Sequence, residues 1–294
     1  MLMKKFFCFL VLMCFSLPLW AQLQLPQPSP SATLTQTVGL TDVTVEYSRP
    51  AKRGRTVFGE LVPFGEVWRT GANASTKITF SDPVTFSGQQ LPAGQYALYT
   101  IPQEGNWTVI FHKNLEHWGS DGYAEADDAL RVTAPVQKTA LPVESFTIGI
   151  NNVDNEQATL DIAWDDRMVS VPFTVDAHTK AQANIQQALA TAGDNWQPYA
   201  QAANYYLQND LDAAQAMAWL DKSVSLTKHF WNLHLQSVAY AKRGDYQQAL
   251  ATAEQALPLA QEANNPFYIG QIQSNIADWQ TKVPAKGKSK KKRS

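Results

Sequence analysis

Between residues 32 and 176, apolar and polar residues alternate with a period of two, in short runs that end at turn residues. Ile78 and Phe80, for example, alternate with Lys77 and Thr79, which is the pattern of a strand with one buried and one solvated face. Many short strands at this spacing are typical of an antiparallel β-sandwich or jelly-roll. The alternation therefore predicts an all-β sandwich or jelly-roll-like domain over residues 32–176.

Ten strands are predicted within this domain, separated by glycine, proline or polar turn residues. Asp165 and Asp166 are interpreted as a turn between the last two strands. Pro172 predicts that the last strand lies at a sheet edge, because proline cannot donate to a ladder. The predicted strands are Ala32–Val38, Val43–Ser48, Ser75–Phe80, Val84–Phe86, Gln95–Ile101, Trp107–Lys113, Leu130–Val136, Val143–Asn151, Ala158–Trp164 and Met168–Val175.

Around His178 the periodicity becomes helical and stays so to about residue 281. Residues recur there at an offset of 35, close to the ~34-residue tetratricopeptide period of two antiparallel helices. This predicts an α-helical, tetratricopeptide-like domain over residues 177–281, with small residues where paired helices approach and a flanking helix covering each end. The recurring pairs are Trp196 and Trp231, Tyr205 and Tyr240, and Ala214 and Ala249.

Residues 1–21 have the features of a secretory signal peptide. Lys4 and Lys5 precede an apolar run of 15 residues, which is shorter than the ~20 residues that a membrane-spanning helix needs. Both cysteines, Cys8 and Cys14, lie in this segment, so the exported chain would hold no disulfide or thiolate site. We predict cleavage after Ala21, a periplasmic or extracellular location and no remaining transmembrane span. The alternatives are an uncleaved anchor and a lipoprotein attached at Cys14.

The segments that flank the two predicted domains are polar or charged. Residues 22–31 are proline-rich and predict an extended linker. Residues 282–294 carry seven basic residues and no acids, which predicts a disordered basic tail. Without the signal and this tail, the chain has 15 basic and 26 acidic residues, a net charge of −11. Such an acidic body argues against a nucleic-acid-binding surface.

A short segment near the middle of the β domain combines groups suited to ligand binding. Trp68 and Arg69 precede a tight turn that contains Asn73, and Lys77 lies on the strand that follows. An arginine fork binds carboxylate, phosphate or sugar hydroxyls, and a tryptophan face stacks on sugars. The segment predicts a wall of a binding pocket. The alternative is that Trp68 belongs to the core and Arg69 pairs with an acid such as Glu66.

Two long connections interrupt the strand pattern, and connections of this length are often functional. Residues 49–65 are rich in cations, which predict an anion-binding site if the connection folds over the Trp68 strand, or a solvated loop otherwise. Residues 114–128 contain Trp118, a further candidate for the pocket. The cations of the first connection are Arg49, Lys52, Arg53 and Arg55.

In the helical domain, aromatic residues fall on the first helix of each repeat. Trp196, Tyr199 and Tyr206 belong to one such helix, and Trp231 and His234 to the next. First helices line the concave groove of tetratricopeptide arrays, so these residues predict a protein-binding groove. The alternative is that the aromatic residues pack against neighbouring elements.

Enzymatic signatures are sparse. His112 and His117, with Glu116 and Asp121 nearby, have the ligand types of a transition-metal site. Their spacing enforces no common face, so we predict ordinary hydrogen-bonded histidines, no metal and no cofactor. The sequence contains no G-x-S-x-G, H-E-x-x-H, G-x-G-x-x-G or phosphate-loop motif.

Several stretches resemble a known family of exported bacterial proteins, domain of unknown function 2911. The stretches are SPSATLTQTVGLTDVTVEYSRP, FGELVPFGEVWRTGANASTKITF, LPAGQYALYTIP and ESFTIGINNV. The resemblance implies an exported protein that pairs a β domain with a tetratricopeptide-like region. It implies no activity and assigns no catalytic or binding residue.

These observations favour a non-catalytic binding protein whose β domain binds a saccharide or an anionic ligand. The runner-up is a protein-interaction or envelope scaffold that acts through the helical groove. A third hypothesis is an enzyme of unrecognised type that uses His112, His117 and the nearby acids.

Overall fold

The computed structural model describes residues 25–283 and divides between Val175 and Asp176 into two compact units. The first unit is a nine-stranded antiparallel sheet and the second consists of six α-helices. The predicted order of a β domain followed by an α-helical domain is confirmed. The predicted signal peptide, cleavage site, most of the basic tail and part of the linker lie outside the described residues.

The strands of the β unit pair in the order β1-β2-β3-β6-β7-β8-β9-β4-β5. Buried and exposed side chains alternate along most of them, as in β3, where residues 76, 78 and 80 are buried. The strands are β1 (Ser31–Val38), β2 (Thr41–Ser48), β3 (Thr76–Phe80), β4 (Val84–Phe86), β5 (Gln89–Leu91), β6 (Gly94–Ile101), β7 (Asn106–His112), β8 (Asp128–Asn151) and β9 (Gln157–Val175).

Strand β8 belongs to both halves of this sheet. Its first part pairs with β7, and from Val136 onwards it pairs with β9. The two halves face each other, since the ring of Phe86 contacts those of Phe80 and Phe111 at centroid distances of 6.0 and 4.6 Å. The ring of Phe173 contacts that of Phe80 at 6.1 Å. The arrangement is therefore a sandwich whose two layers share one strand.

The last four predicted strands form two long ones, because β8 has 24 residues and β9 has 19. The predicted turn at Asp165 is wrong. Asp165 adopts a positive φ of 52° inside β9, opposite a shift in the β8 register. Its carboxylate pairs with Lys52, and its carbonyl accepts a hydrogen bond from Thr139 at 3.1 Å. These partners hold a bulge within a continuous strand, where two acidic residues had indicated a turn.

The predicted edge position of Pro172 is also wrong, because β9 lies between β8 and β4. The recorded pairing with β8 reaches Val169, and the pairing with β4 begins at Phe173. Pro172 lies between these two registers. An inner strand can accommodate the proline there because no ladder hydrogen bond requires its missing N–H.

The helical unit contains α1 (Ala177–Thr191), α2 (Trp196–Gln208), α3 (Ala213–Leu226), α4 (Phe230–Lys242), α5 (Tyr246–Glu262) and α6 (Pro266–Lys282). Each helix begins after a side chain that accepts a hydrogen bond from the first turn. These N-cap residues satisfy backbone N–H groups that have no partner within the helix. They are Asp176, Asn195, Asp212, His229, Asp245 and Asn265.

The two helical hairpins, α2–α3 and α4–α5, repeat with a shorter offset than the sequence suggests. The N-cap His229 follows Asn195 by 34 residues, and Asp245 follows Asp212 by 33. The predicted equivalence of Ala214 with Ala249 is therefore wrong. Ala249 is buried and Ala214 is exposed; the residue that packs in α3 is Ala216. Equivalent positions in the two hairpins are therefore identified by the spacing of the N-cap residues, and not by the recurrence of aromatic residues.

Within residues 25–283, no helix combines the length and the apolar character that a membrane crossing requires.

Candidate functional site

Trp68 is part of an aromatic cluster inside the β unit. Its ring stacks on Trp164 at a centroid distance of 5.9 Å and meets Phe146 and Trp107 edge-on at 5.1 and 6.5 Å. Phe58, from the first long connection, completes the cluster against Trp107 at 4.8 Å. Trp68 is half-buried, so it forms a packed wall rather than a free stacking platform.

A cavity of about 430 Å³ opens beside this cluster. It brings together four of the predicted site residues: Arg53, Arg55, Trp68 and Arg69. We call it the arginine pocket. The other residues that line it are Pro28, Ser29, Pro50, Ala51, Leu61, Val62, Pro63, Glu66, Val67, Gly71, Ala72, Ser120 and Trp164.

Two arginines of the pocket are oriented by backbone carbonyl groups. Arg53 Nη2 donates to the carbonyl of Pro28 at 3.0 Å. Arg55 Nε and Nη2 donate to the carbonyls of Lys52 and Ala51 at 2.9 and 2.6 Å. Carbonyl oxygens carry no net charge, so these bonds position both guanidinium groups and leave their positive charge uncompensated.

Arg69 is held in another way. Its Nε is enclosed and has no hydrogen-bond partner among the described residues. The same part of the chain shows no ion pair between Arg69 and Glu66, the pair that was the alternative interpretation of this arginine. Gly119 lies against the guanidinium instead, and a Cβ added there would lie 2.9 Å from Arg69 Nη1. Gly119 has a φ of +84°, so glycine suits both the backbone and the close approach.

The loop that carries Gly119 is anchored to the sheet. The buried Tyr99 donates its hydroxyl to the carbonyl of Gly119 at 3.3 Å. The same hydroxyl lies 3.3 Å from Nδ1 of His117. The contacts therefore run from β6 through Gly119 to Arg69, so the fold positions this guanidinium without an acidic partner.

Arg49 and Asn73 lie outside the lining of the arginine pocket. Arg49 donates from Nε to the carbonyl of Phe146 at 3.0 Å and from Nη2 to Thr147 Oγ1 at 2.8 Å. Asn73 has a positive φ of 61°, as its turn position requires, and its amide donates to the carbonyl of Ser29 at 3.3 Å. Arg49 therefore links the start of the first long connection to β8, and Asn73 links its turn to the segment before β1.

Lys77 and Trp118 also lie outside the pocket lining. Lys77 Nζ donates to Ser75 Oγ at 2.7 Å and to the carbonyl of Leu115. Burial lowers the pKa of Lys77, and the nearby acids oppose this shift. Trp118 is 69% exposed. Neither residue borders the cavity that contains Arg69.

The histidines of the β unit belong to a buried polar network. His112 Nδ1 lies 2.8 Å from Oδ1 of Asp128. The Tyr123 hydroxyl donates to Oδ2 of Asp128 at 2.7 Å, and Arg131 Nε lies 2.9 Å from the same oxygen. Burial, followed by the hydrogen bond to Asp128, raises the pKa of Tyr123 to about 12. The carboxylate of Asp128 thus connects three polar side chains.

His117 packs against this network, with its ring centroid 5.6 Å from that of His112. Glu116 and Asp121, the acids considered with these histidines, are exposed. Over residues 25–283, no group of three histidine, cysteine, aspartate or glutamate side chains is placed to hold a metal ion.

In the helical unit, the predicted groove residues separate into two sets. Tyr206 is buried against Trp219 at 4.8 Å, and Trp196 and Tyr199 pack against the same core. Trp231 and His234 border a cavity of about 620 Å³ between α2, α4 and α6. The other residues that line this groove are Asn204, Leu207, Gln208, Leu235, Val238, Lys242, Phe267, Tyr268 and Gln271.

The lining of this groove is close to neutral. Burial lowers the pKa of His234, which favours the uncharged ring. Lys242 Nζ is neutralised by Asp210 at 2.8 Å. Phe267 is 63% exposed. Sequence reasoning missed Phe267 and Tyr268 because α6 lies outside the recurrence, although its aromatic residues were visible.

Residues 29–173 match the model of a protein family of unknown function, DUF2911. The match ends before the first helix. A search of curated proteins finds no match.

Proposed function

Since residues 29–173 belong to the DUF2911 family, whose function is unknown, we propose from the geometry of the β unit that it binds a small anionic ligand without catalysis. The observation that carries the proposal is the arginine pocket. Three arginine residues line one cavity, with Arg69 half-buried and the other two exposed, and none forms an ion pair with an acid among the described residues. Unpaired arginines in a concave site are a recognised arrangement for binding carboxylate or phosphate.

The charge distribution of the β unit supports this proposal. Residues 25–175 contain 10 basic and 17 acidic side chains. Three of the basic side chains lie around one cavity, although the surrounding unit repels anions on average. An anion is favoured over a neutral saccharide because the ring of Trp68 already packs against other aromatic rings. Residues 1–21 support the further proposal that binding takes place after export.

The test is a calorimetric titration of the protein with glucuronate, glucose 6-phosphate and glucose. We expect at least one of the two anions to bind and glucose to bind much more weakly. Arg69→Ala should weaken anion binding by about 10- to 100-fold, because a hydrogen bond to a charged group contributes roughly 1.5–3 kcal/mol.

Arg243→Ala is the matched control, since Arg243 is an exposed arginine of the helical unit. This variant should bind the anions as the parent protein does. The proposal is wrong if neither anion binds, or if Arg69→Ala binds them with unchanged affinity.

The helical groove supports a second candidate function, contact with a protein partner. Exposed Phe267, together with Trp231 and Tyr268, provides aromatic anchors, and amide side chains can hydrogen-bond a peptide backbone. The neutral lining favours an uncharged segment.

The test of this second candidate uses synthetic octapeptides in fluorescence anisotropy, each an uncharged sequence with one phenylalanine, paired with a version that carries two glutamates. We expect the uncharged set to bind and Phe267→Ala to abolish binding. Leu141→Ala, which removes an exposed apolar side chain of the β unit, is the control. Equal binding by Phe267→Ala and the parent protein would exclude the groove.

A further inference from the structure

We infer that the arginine pocket recognises a phosphomonoester, a phosphoryl dianion attached to a small organic body, as a deepening that rests on the proposed function. Free phosphate and a carboxylate are the competing ligands. The inference depends on three features of the pocket: its formal charge, the number of its guanidinium donors and the apolar walls.

The formal charge of the pocket matches a dianion. Arg53, Arg55 and Arg69 contribute three positive charges, and Glu66 is the acid in the lining. The sum is +2, so a monocarboxylate would leave one charge without a counter-ion. A phosphomonoester carries nearly two negative charges at neutral pH. Charge complementarity therefore favours the phosphoryl group over a carboxylate.

The number of donors also favours a phosphoryl group. Arg69 Nε has no partner among the described residues, but it is too enclosed for a ligand oxygen to reach, so the donors that face a ligand are the terminal amino groups of the guanidinium groups. The bonds of Arg53 and Arg55 to carbonyl groups occupy only some of their five donors. Three phosphoryl oxygens can accept from several such forks, whereas a carboxylate offers two oxygens.

The remaining walls favour an ester over free phosphate. Leu61, Val62, Pro63 and Val67 present apolar surface to the cavity. The cavity volume of about 430 Å³ lies in the range of small-molecule sites, which is much larger than a phosphate ion needs. An organic group attached to the phosphoryl oxygen would cover this apolar surface. Free phosphate would leave it in contact with water.

The experiment compares glucose 6-phosphate, inorganic phosphate and glucuronate by calorimetry with the full protein at pH 7.5. We expect glucose 6-phosphate to bind at least about tenfold more tightly than either other anion, a difference of about 1.4 kcal/mol. Phosphate that binds as well as the ester would show that the organic body is not recognised. Glucuronate that binds as well would show that a dianion is not required.

A second measurement uses the proton of the ligand itself. The second pKa of a phosphomonoester is near 6, so lowering the pH from 7.5 to 5.0 should weaken its binding about tenfold. The carboxylate of glucuronate remains ionised over this range, so its affinity controls for changes in the protein. A pH dependence shared by both ligands would contradict the inference. Failure of every anion to bind would instead overturn the proposed function itself.

Discussion

Replacing Trp164 by alanine is expected to lower the free energy of unfolding of the β unit by about 3–5 kcal/mol. Trp164 is 2% exposed, stacks on Trp68 and contacts Phe146 at 5.8 Å. Its Nε1 also donates to the carbonyl of Glu144 at 3.2 Å. The substitution removes a large buried ring from a cluster that connects both layers. Urea unfolding followed by near-ultraviolet circular dichroism measures the loss.

Trp118→Ala is the matched control for this prediction. Trp118 is 69% exposed and lies in the same unit. Its removal should change the free energy of unfolding by less than about 0.5 kcal/mol. Similar losses in the two variants would contradict the importance assigned to the aromatic cluster.

Replacing Asp128 by asparagine is expected to lower the free energy of unfolding by about 3 kcal/mol, because it leaves buried polar partners without their carboxylate. The Asp128 side chain is 7% exposed and contacts His112, Tyr123 and Arg131 at 2.7–2.9 Å. The exposed neighbour Asp127 provides the control. Asp127→Asn should have an effect below about 0.5 kcal/mol in the same urea experiment.

The same network predicts a loss of stability at alkaline pH. Burial and then Asp128 raise the pKa of Tyr123 from its ordinary value of 10.0 to about 12. The neutral phenol therefore stabilises the folded state fully below pH 10, and this contribution is lost as the pH rises towards 12. Tyr123→Phe should flatten the pH dependence of the urea midpoint in this window. If the pH dependence of the urea midpoint is unchanged in that variant, the Asp128 network does not cause the loss of stability.

The strands were predictable wherever burial follows local alternation, as in β3, with its buried Ile78 and Phe80. The continuity of β8 and β9 was not predictable in this way. The sequence indicates a turn at Asp165 because a second aspartate, Asp166, follows it directly. The position of Asp165 in a strand depends on Lys52, more than a hundred residues earlier in the chain. A pairing over that distance leaves no local pattern.

The candidate site shows the same division between local and distant information. Trp68 and Arg69 were identified because a cation, an aromatic ring and a turn adjoin in sequence. The path of the first long connection determines which of its cations lie beside Trp68 and Arg69. Arg53 and Arg55 line the pocket, whereas Arg49 is bonded to the carbonyl of Phe146. The sequence does not distinguish these three arginines; only their contacts in the folded chain do.

The shared strand β8 has a consequence for the walls of the arginine pocket. Trp68 exchanges backbone hydrogen bonds with Thr100 of one layer. The first long connection is bonded to Glu144, in the part of β8 that belongs to the other layer. Because one continuous backbone joins the layers, both of these wall segments are attached to the same sheet framework. Under the proposed function, this attachment would reduce the conformational entropy that the pocket loses when a ligand binds.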